Sequence, residues 1–278
     1  MTTGIKEFAP DWPRTPEGWV DFGRDIELRR SLFPPEAFEH PAKANLNLVR
    51  ELAKYLTPPG GSVLDPFAGT GSQLISALDG YKVVAIELEP YFLEIMAKTV
   101  ANWKKQDKDV ADVFIYEGDC RQVLQKIDYL VNTAIFSPPY STTMASTGIR
   151  ETDAEVETGT GRYKTGEYTR SSLNLSRLNP FFYSQAMDQV LKRLYARIAP
   201  GGKICIISKD RIEGSRRIML SDTAIQRAQR NGFKLDVWLK HRPPSTIAKA
   251  SAAIALKKHG KVVKVVEDED LLVFRKPE

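Results

Sequence analysis

Four polar residues close successive apolar runs in the first half of the chain. Asp65 follows Val63-Leu64, Glu87 follows Lys82–Ile86, Asp119 follows Val113–Tyr116 by way of Glu117-Gly118, and Ser137 follows Thr133–Phe136. If each run is a strand of one parallel sheet, these residues line a single edge and can converge on one ligand. Asp65 opens the stretch Asp65-Pro66-Phe67-Ala68-Gly69-Thr70-Gly71-Ser72. Gly69 and Gly71 let the backbone approach a ligand closely, because no Cβ intervenes. Asp65 can orient that turn or meet an amino group, and Phe67 and Leu88 can wall the site. Glu87 lies 22 residues beyond Asp65. A carboxylate there can accept both hydroxyls of a ribose, or serve the N-terminus of a helix starting near Pro90. Asp119 can accept from an adenine amino group or act as a turn residue after Gly118.

The second chemical unit is Ser137-Pro138-Pro139-Tyr140. An exocyclic amino group on a base is a poor nucleophile, because its lone pair is delocalised into the ring. A hydroxyl such as that of Ser137 and a carbonyl such as that of Pro138 can accept the two amino hydrogens and localise the lone pair. Two prolines stiffen the loop by fixing φ and restricting the residue before each. Tyr140 can stack on a base taken out of a duplex. Alone, the tetrapeptide also suits a plain strand-to-loop turn.

Positioning these groups requires alternating strands and helices. Leu46, Val49, Leu52, Ala53 and Leu56 recur at helical spacing, and Thr57-Pro58-Pro59-Gly60-Gly61 stops that helix. A helix after Ser72 carries Leu74, Ala77 and Leu78. Another from Pro90 carries Phe92, Ile95, Met96, Val100 and Trp103, and a short one carries Val123, Leu124 and Ile127. From Ser141 to Pro180 periodicity vanishes, and a loop of that length inside a domain is usually functional or mobile. A long helix (Tyr183 to Ile198) ends at Pro200-Gly201-Gly202, before a fifth strand at Ile204–Ile207. A helix from Ile218 to Arg230, a strand at Phe233–Lys240, a basic loop from Arg242 to Lys261 and a last strand at Leu271–Phe274 complete the chain. Such alternation predicts an α/β fold with right-handed crossovers and a mostly parallel sheet. The last two strands have no helical pattern between them, so they are expected to pair antiparallel at one edge.

Together these motifs resemble the S-adenosylmethionine-dependent amino-group DNA methyltransferases, the N4-cytosine and N6-adenine family. The resemblance covers nearly the whole domain, with the cofactor loop ahead of the catalytic tetrapeptide. It implies a Rossmann-like class I methyltransferase with a seven-stranded, mostly parallel sheet, helices on both faces and an antiparallel edge strand. His40-Pro41-Ala42-Lys43 looks like the family's methionine-side motif. Asp65, Pro66, Phe67, Gly69, Gly71 and Ser72 match its cofactor loop, and Glu87 and Leu88 its ribose-side strand end. Asp119 is similar to its adenine contact, and Ser137 to Tyr140 to its catalytic tetrapeptide. Two departures stand out: Ser72 replaces a frequent Thr, and no large segment stands apart as a target-recognition domain. Ser at the first catalytic position leans toward cytosine N4; adenine N6, RNA or protein-amide methylation, and a non-catalytic cofactor-binding subunit are the alternatives. Cytosine C5 chemistry fits poorly, since it needs a reactive thiolate beside a proline, and Cys120 and Cys205 read as structural.

The organisation expected is therefore an arm at 1–39, rich in Pro and aromatics, and a catalytic domain at 40–278. The net charge is +5, unevenly divided: residues 1–140 carry 15 basic and 20 acidic residues, leaving 25 and 15 for the rest. From Lys192 to Lys264 there are 18 basic residues against four acidic ones. This is either a solvated surface or a polyanion-binding half, since Lys and Arg release counterions when they neutralise phosphates. Arg162, Lys164, Arg170, Arg177 and Arg242 are the candidate contacts to a target strand. The resemblance implies DNA as partner, as a duplex with a flipped base or as a single strand, and in a restriction–modification setting a restriction endonuclease. Two cysteines exclude a disulfide framework, no metal is expected, and neither a membrane span nor a secretory signal is visible. The expected setting is cytoplasmic.

Overall fold

The computed structural model describes residues 7–38, 43–139, 173–213, 216–244 and 265–278. Its strands are β1 (Val20–Asp21), β2 (Ser62–Asp65), β3 (Lys82–Glu87), β4 (Val113–Glu117), β5 (Val131–Phe136) and β6 (Ile198–Ser208), then β7 (Arg211–Glu213), β8 (Arg216–Ile218), β9 (Lys234–Arg242) and β10 (Glu269–Arg275). Its α-helices are α1 (Ile26–Leu32), α2 (Leu46–Leu56), α3 (Pro90–Lys105), α4 (Cys120–Lys126), α5 (Pro180–Arg197) and α6 (Leu220–Arg230). Eight strands form one sheet in the order β4-β3-β2-β5-β6-β10-β9-β1.

The parallel centre follows from composition. In β3, Val84 and Ile86 enter the core on one face while Val83 and Ala85 enter it on the other. A strand buried on both faces reads as a continuous apolar run. α4, α5 and α6 cover the first face with Leu124, Met187, Val190, Leu191, Leu194 and Ala228. α2 and α3 cover the other with Leu46, Val49, Phe92, Ile95, Met96 and Trp103. α2 starts where the Asn45 side chain accepts from the backbone N–H of Asn47 and Leu48, and it stops before Pro58.

Several expectations are refined. The sheet has eight strands rather than seven, because Val20–Asp21 of the arm pairs parallel with His241 and Arg242 of β9. Phe8, Trp12 and Phe22 stack edge-on behind this pairing and anchor it. β10 pairs antiparallel with β9, as the missing crossover helix implies, and also with β6, so it lies two strands in from that end of the sheet, inside β9 and β1. β6 begins at Ile198 and runs through Pro200-Gly201-Gly202, with its register shifted between Val131 and Thr133 of β5. Gly202 is required there: a Cβ would lie 2.6 Å from the Asn132 carbonyl oxygen. The helix after the glycine turn, Ser72–Asp79, is a 3-10 helix. A β7–β8 ribbon, absent from the sequence-based expectation, precedes α6 and takes up Ile218, the expected first residue of that helix. Among the described residues no helix is long and apolar enough to cross a membrane.

Candidate active site

β2 is the point at which the strand order reverses, since β3 and β4 extend to one side and β5 and β6 to the other. Loops leaving the carboxyl ends of β2 and β5 therefore flank the crevice where open α/β sheets bind ligands. The two strands pair directly, Val63 with Thr133 and Leu64 with Ala134. Asp65, Glu87, Asp119 and Ser137 accordingly all lie at this edge, as their positions after apolar runs suggested.

The glycine turn is tied down at every step. Asp65 Oδ1 accepts from the Phe67 backbone N–H at 2.9 Å, an Asx turn that bends the chain through Pro66. Burial pushes the Asp65 carboxyl up to about 7, with the Glu87 charge adding to it and the Phe67 N–H opposing it. The Phe67 ring lies 5.9 Å from that of Phe136, the residue before Ser137. Ala68 donates to the Ile86 carbonyl at 3.0 Å, and Gly71 to the Ala68 carbonyl at 2.8 Å. Gly71 has φ +82°, and a Cβ there would lie 2.6 Å from Met96 Cγ. Both the left-handed backbone and the close packing demand glycine.

Glu87 binds the turn from the neighbouring strand. Its Oε2 accepts from Gly69 N–H at 2.6 Å, and its Oε1 from Leu88 and Glu89 N–H at 2.8 and 2.9 Å. It thus holds both the two residues leading into α3 and the glycine turn. Burial raises its pKa, and the three backbone donors oppose that rise. Three donors leave about one of a carboxylate's four acceptor positions for a ligand hydroxyl. Leu88 is half-buried beside it.

Asp119 is the N-cap of α4 and is gripped by Arg121. Oδ1 takes Arg121 N and Nε at 2.8 and 2.9 Å, and Oδ2 takes Nε and Nη2 at 3.0 and 2.5 Å. An adenine amino group reaches this carboxylate only if Arg121 releases one of those positions. Sequence reasoning missed the Arg121 fork, which is a tertiary choice of one arginine rotamer.

Ser137, Pro138 and Pro139 continue from β5 at the crevice, with Ser137 exposed and both prolines half-buried. Tyr140, His40, Arg162, Lys164 and Arg170 lie outside the described residues. Of the remaining strand-contact candidates, Arg177 sits near Glu89, at the start of α3, where burial raises the Glu89 carboxyl and the Asn174 side chain and the Arg177 charge oppose that rise. Arg242 ends β9, three strands from β5, beside Glu17 of the arm. These two do not lie side by side. Asp210, after β6, caps α6 through Leu220 and Ser221 N–H at 2.8 and 3.2 Å and pairs with Arg217 at 2.8 Å. Cys120 and Cys205 are buried, and burial raises both thiols far above the range of a reactive thiolate.

One cation beside the turn gave no local signal. Arg29 of α1 is 2% exposed and donates to Ser72 Oγ. Burial, with the nearby Arg29 charge, pushes the Lys43 ammonium down to about 8.

Comparison with known proteins agrees with this architecture. The family model described as DNA methylase, of the N6/N4 methyltransferase type, matches residues 20–98, from β1 into α3. A search of curated proteins finds no match. Among solved structures, TrmN from Thermus thermophilus is 14% identical over 87% of this chain with a TM-score of 0.51, and this chain spans 52% of its length. A methyltransferase of the S-adenosylmethionine-dependent class from Methanosarcina mazei is 8% identical over 81% of this chain and 96% of its own, with a TM-score of 0.48. A putative methyltransferase from Streptococcus mutans, solved with S-adenosylhomocysteine, is 12% identical over 84% and 99%, with a TM-score of 0.44. Over residues 20–98 the chain thus matches the N6/N4 DNA methylase family model, and its α/β fold, a mostly parallel sheet with antiparallel strands toward one end, is similar to that of TrmN.

Proposed function

We propose that the protein transfers a methyl group from S-adenosylmethionine to an exocyclic amino group of a DNA base, cytosine N4 being the preferred target. The adjacency of two loops carries this reading. The turn from Asp65 to Ser72 and the segment from Ser137 to Pro139 leave directly paired strands at one edge, joined by the Phe67–Phe136 contact.

The residues of the first loop suit the cofactor. Glycine at 69 and 71 lets a ligand approach the backbone closely, while the Asp65 and Glu87 carboxylates suit an ammonium and a ribose hydroxyl. When bound, S-adenosylmethionine supplies an activated methyl group. His40, Pro66, Phe67, Ser72, Leu88 and Asp119 complete the assigned cofactor side. On the acceptor side, Ser137 Oγ and the Pro138 carbonyl take the amino hydrogens, which turns the nitrogen lone pair out of the ring and toward the donor side. Pro139 stiffens the loop, and Tyr140 stacks on the target base. Catalysis then rests on positioning and on acceptors fixed in place before reaction. The basic second half supplies phosphate contacts, with Arg162, Lys164, Arg170, Arg177 and Arg242 as candidates.

The test is incubation with labelled methyl donor and, separately, duplex DNA, single-stranded DNA and RNA, followed by nucleoside analysis. Label in N4-methylcytosine is expected. Label only in N6-methyladenine overturns the choice of base, and label in RNA alone overturns the choice of DNA. No transfer to any of the three overturns the nucleic-acid enzyme.

A further inference from the structure

We propose that Arg29, in the N-terminal arm, is a positioning residue for the cofactor loop, holding Ser72 and the turn into α2 at a fixed separation. This rests on the reading of Asp65–Ser72 as the methyl-donor site. Arg29 Nη2 donates to Asp25 Oδ2 and to the Ala44 carbonyl, both at 2.8 Å, and Nη1 donates to Ser72 Oγ at 3.2 Å. Its guanidinium lies 5.5 Å from the centre of the Phe33 ring. Asp25 Oδ2 also accepts from the Leu46 N–H at 2.9 Å, so the same carboxylate fixes the first turn of α2. One side chain therefore joins three segments: the arm, the residue following Lys43, and the last residue of the glycine turn.

Burying a guanidinium is expensive unless its donors are matched. A helix exposed on one side has a cheaper option, and the adjacent residue takes it: Arg30 is 64% exposed and pairs with Glu27 on the surface. The buried choice at position 29 places a rigid planar fork against Ser72 and Ala44. Lysine cannot reproduce it, because its point charge cannot serve three acceptors in fixed directions. The arm is held in place independently of Arg29, by the β1–β9 pairing and by a Trp103 Nε1 hydrogen bond of 2.5 Å to the Leu32 carbonyl. Arg29 is thus not needed merely to attach the arm, and its contacts with Ser72 and Ala44 set the loop.

The experiment is calorimetric titration of the full chain with S-adenosylmethionine and S-adenosylhomocysteine, comparing wild type, Arg29→Lys, Ser72→Ala, the double variant and the surface control Arg30→Met. Circular dichroism establishes that each is folded at the titration temperature. Arg29→Lys is expected to raise Kd about tenfold and Ser72→Ala several-fold, with the double variant no worse than Arg29→Lys because both break one contact. Arg30→Met should bind as wild type does. Faster hydrogen exchange at Gly69–Ser72 amides in Arg29→Lys should accompany the loss. A folded Arg29→Lys that binds both ligands like wild type overturns the proposal, as does additive loss in the double variant. Should Arg29→Lys not fold, unchanged binding by Ser72→Ala overturns it equally. Failure of the wild type to bind either ligand instead overturns the donor-site reading on which the proposal rests.

Discussion

The Gly69 N–H donates to Glu87 Oε2 at 2.6 Å, so the glycine turn after β2 is fastened to the end of β3 by a side chain that also binds the two residues leading into α3. Two roles foreseen for Glu87, ligand acceptor and helix partner, are therefore not exclusive. Glu87→Gln keeps the shape, loses the charge and offers one acceptor oxygen to three backbone donors. Charge-assisted hydrogen bonds contribute about 1.5–3 kcal/mol, so cofactor affinity should fall by about 10- to 100-fold. Titration calorimetry checks this, and an unchanged Kd would remove Glu87 from the donor site.

Gly71 is the residue of the turn least open to substitution. Gly71→Ala asks an L side chain to adopt φ +82° and to place Cβ 2.6 Å from Met96 Cγ and 2.7 Å from Leu74 Cδ1. Left-handed backbone and overpacking together should cost about 2–4 kcal/mol. Chemical denaturation should report that loss as a lower midpoint at unchanged slope. A variant as stable as wild type would mean the turn relaxes freely.

What the sequence revealed depended on how local each cause was. β2, β3 and β5 are buried on both faces, so their apolar runs and polar ends stand out without any partner in view. β1 has only two residues, Val20 and Asp21, and exists because His241 and Arg242 of β9 lie beside them, more than two hundred residues away. The β7–β8 ribbon is also short, with three residues in each strand. In α1, Arg29 has Asp25 four residues before it and Arg30 has Glu27 three before it, so either could have been the surface pair. Only the position of Ser72 and Ala44 decides which is buried. Asp119 was legible as a strand-end acid, but its engagement by Arg121 follows from a rotamer that no spacing encodes.

Asp65 gives the site a pH signature. Its carboxyl is raised from the ordinary 3.8 to about 7, chiefly by burial. Between these values the folded chain holds a proton that the unfolded chain has released. The contribution to stability is thus full below the unfolded pKa and is lost as pH rises through the folded one, at up to about 1.4 kcal/mol per pH unit. Asp65→Asn cannot titrate and should flatten this part of the profile. Urea midpoints for both proteins between pH 5 and 8 provide the measurement, and parallel profiles would refute the assignment.

Replacing Ser137 tests whether donor binding and transfer are separate, as the proposed function requires. The residue is exposed at the end of β5 and contributes little packing, so Ser137→Ala should alter stability by less than about 0.5 kcal/mol. Cofactor affinity should also hold, since the proposed donor side lies on the loop after β2 and at the ends of β3 and β4. Transfer should not hold. Without the hydroxyl, one amino hydrogen of the target base loses its acceptor and the lone pair stays delocalised. Removing one fixed hydrogen-bonding group of this kind costs about 10²–10³ in kcat. The prediction is a rate collapse at saturating DNA with Kd for S-adenosylmethionine unchanged, read by label transfer and calorimetry on the same preparation. A parallel loss of both would place Ser137 in the donor pocket instead, and full activity would move the acceptor role elsewhere on the edge.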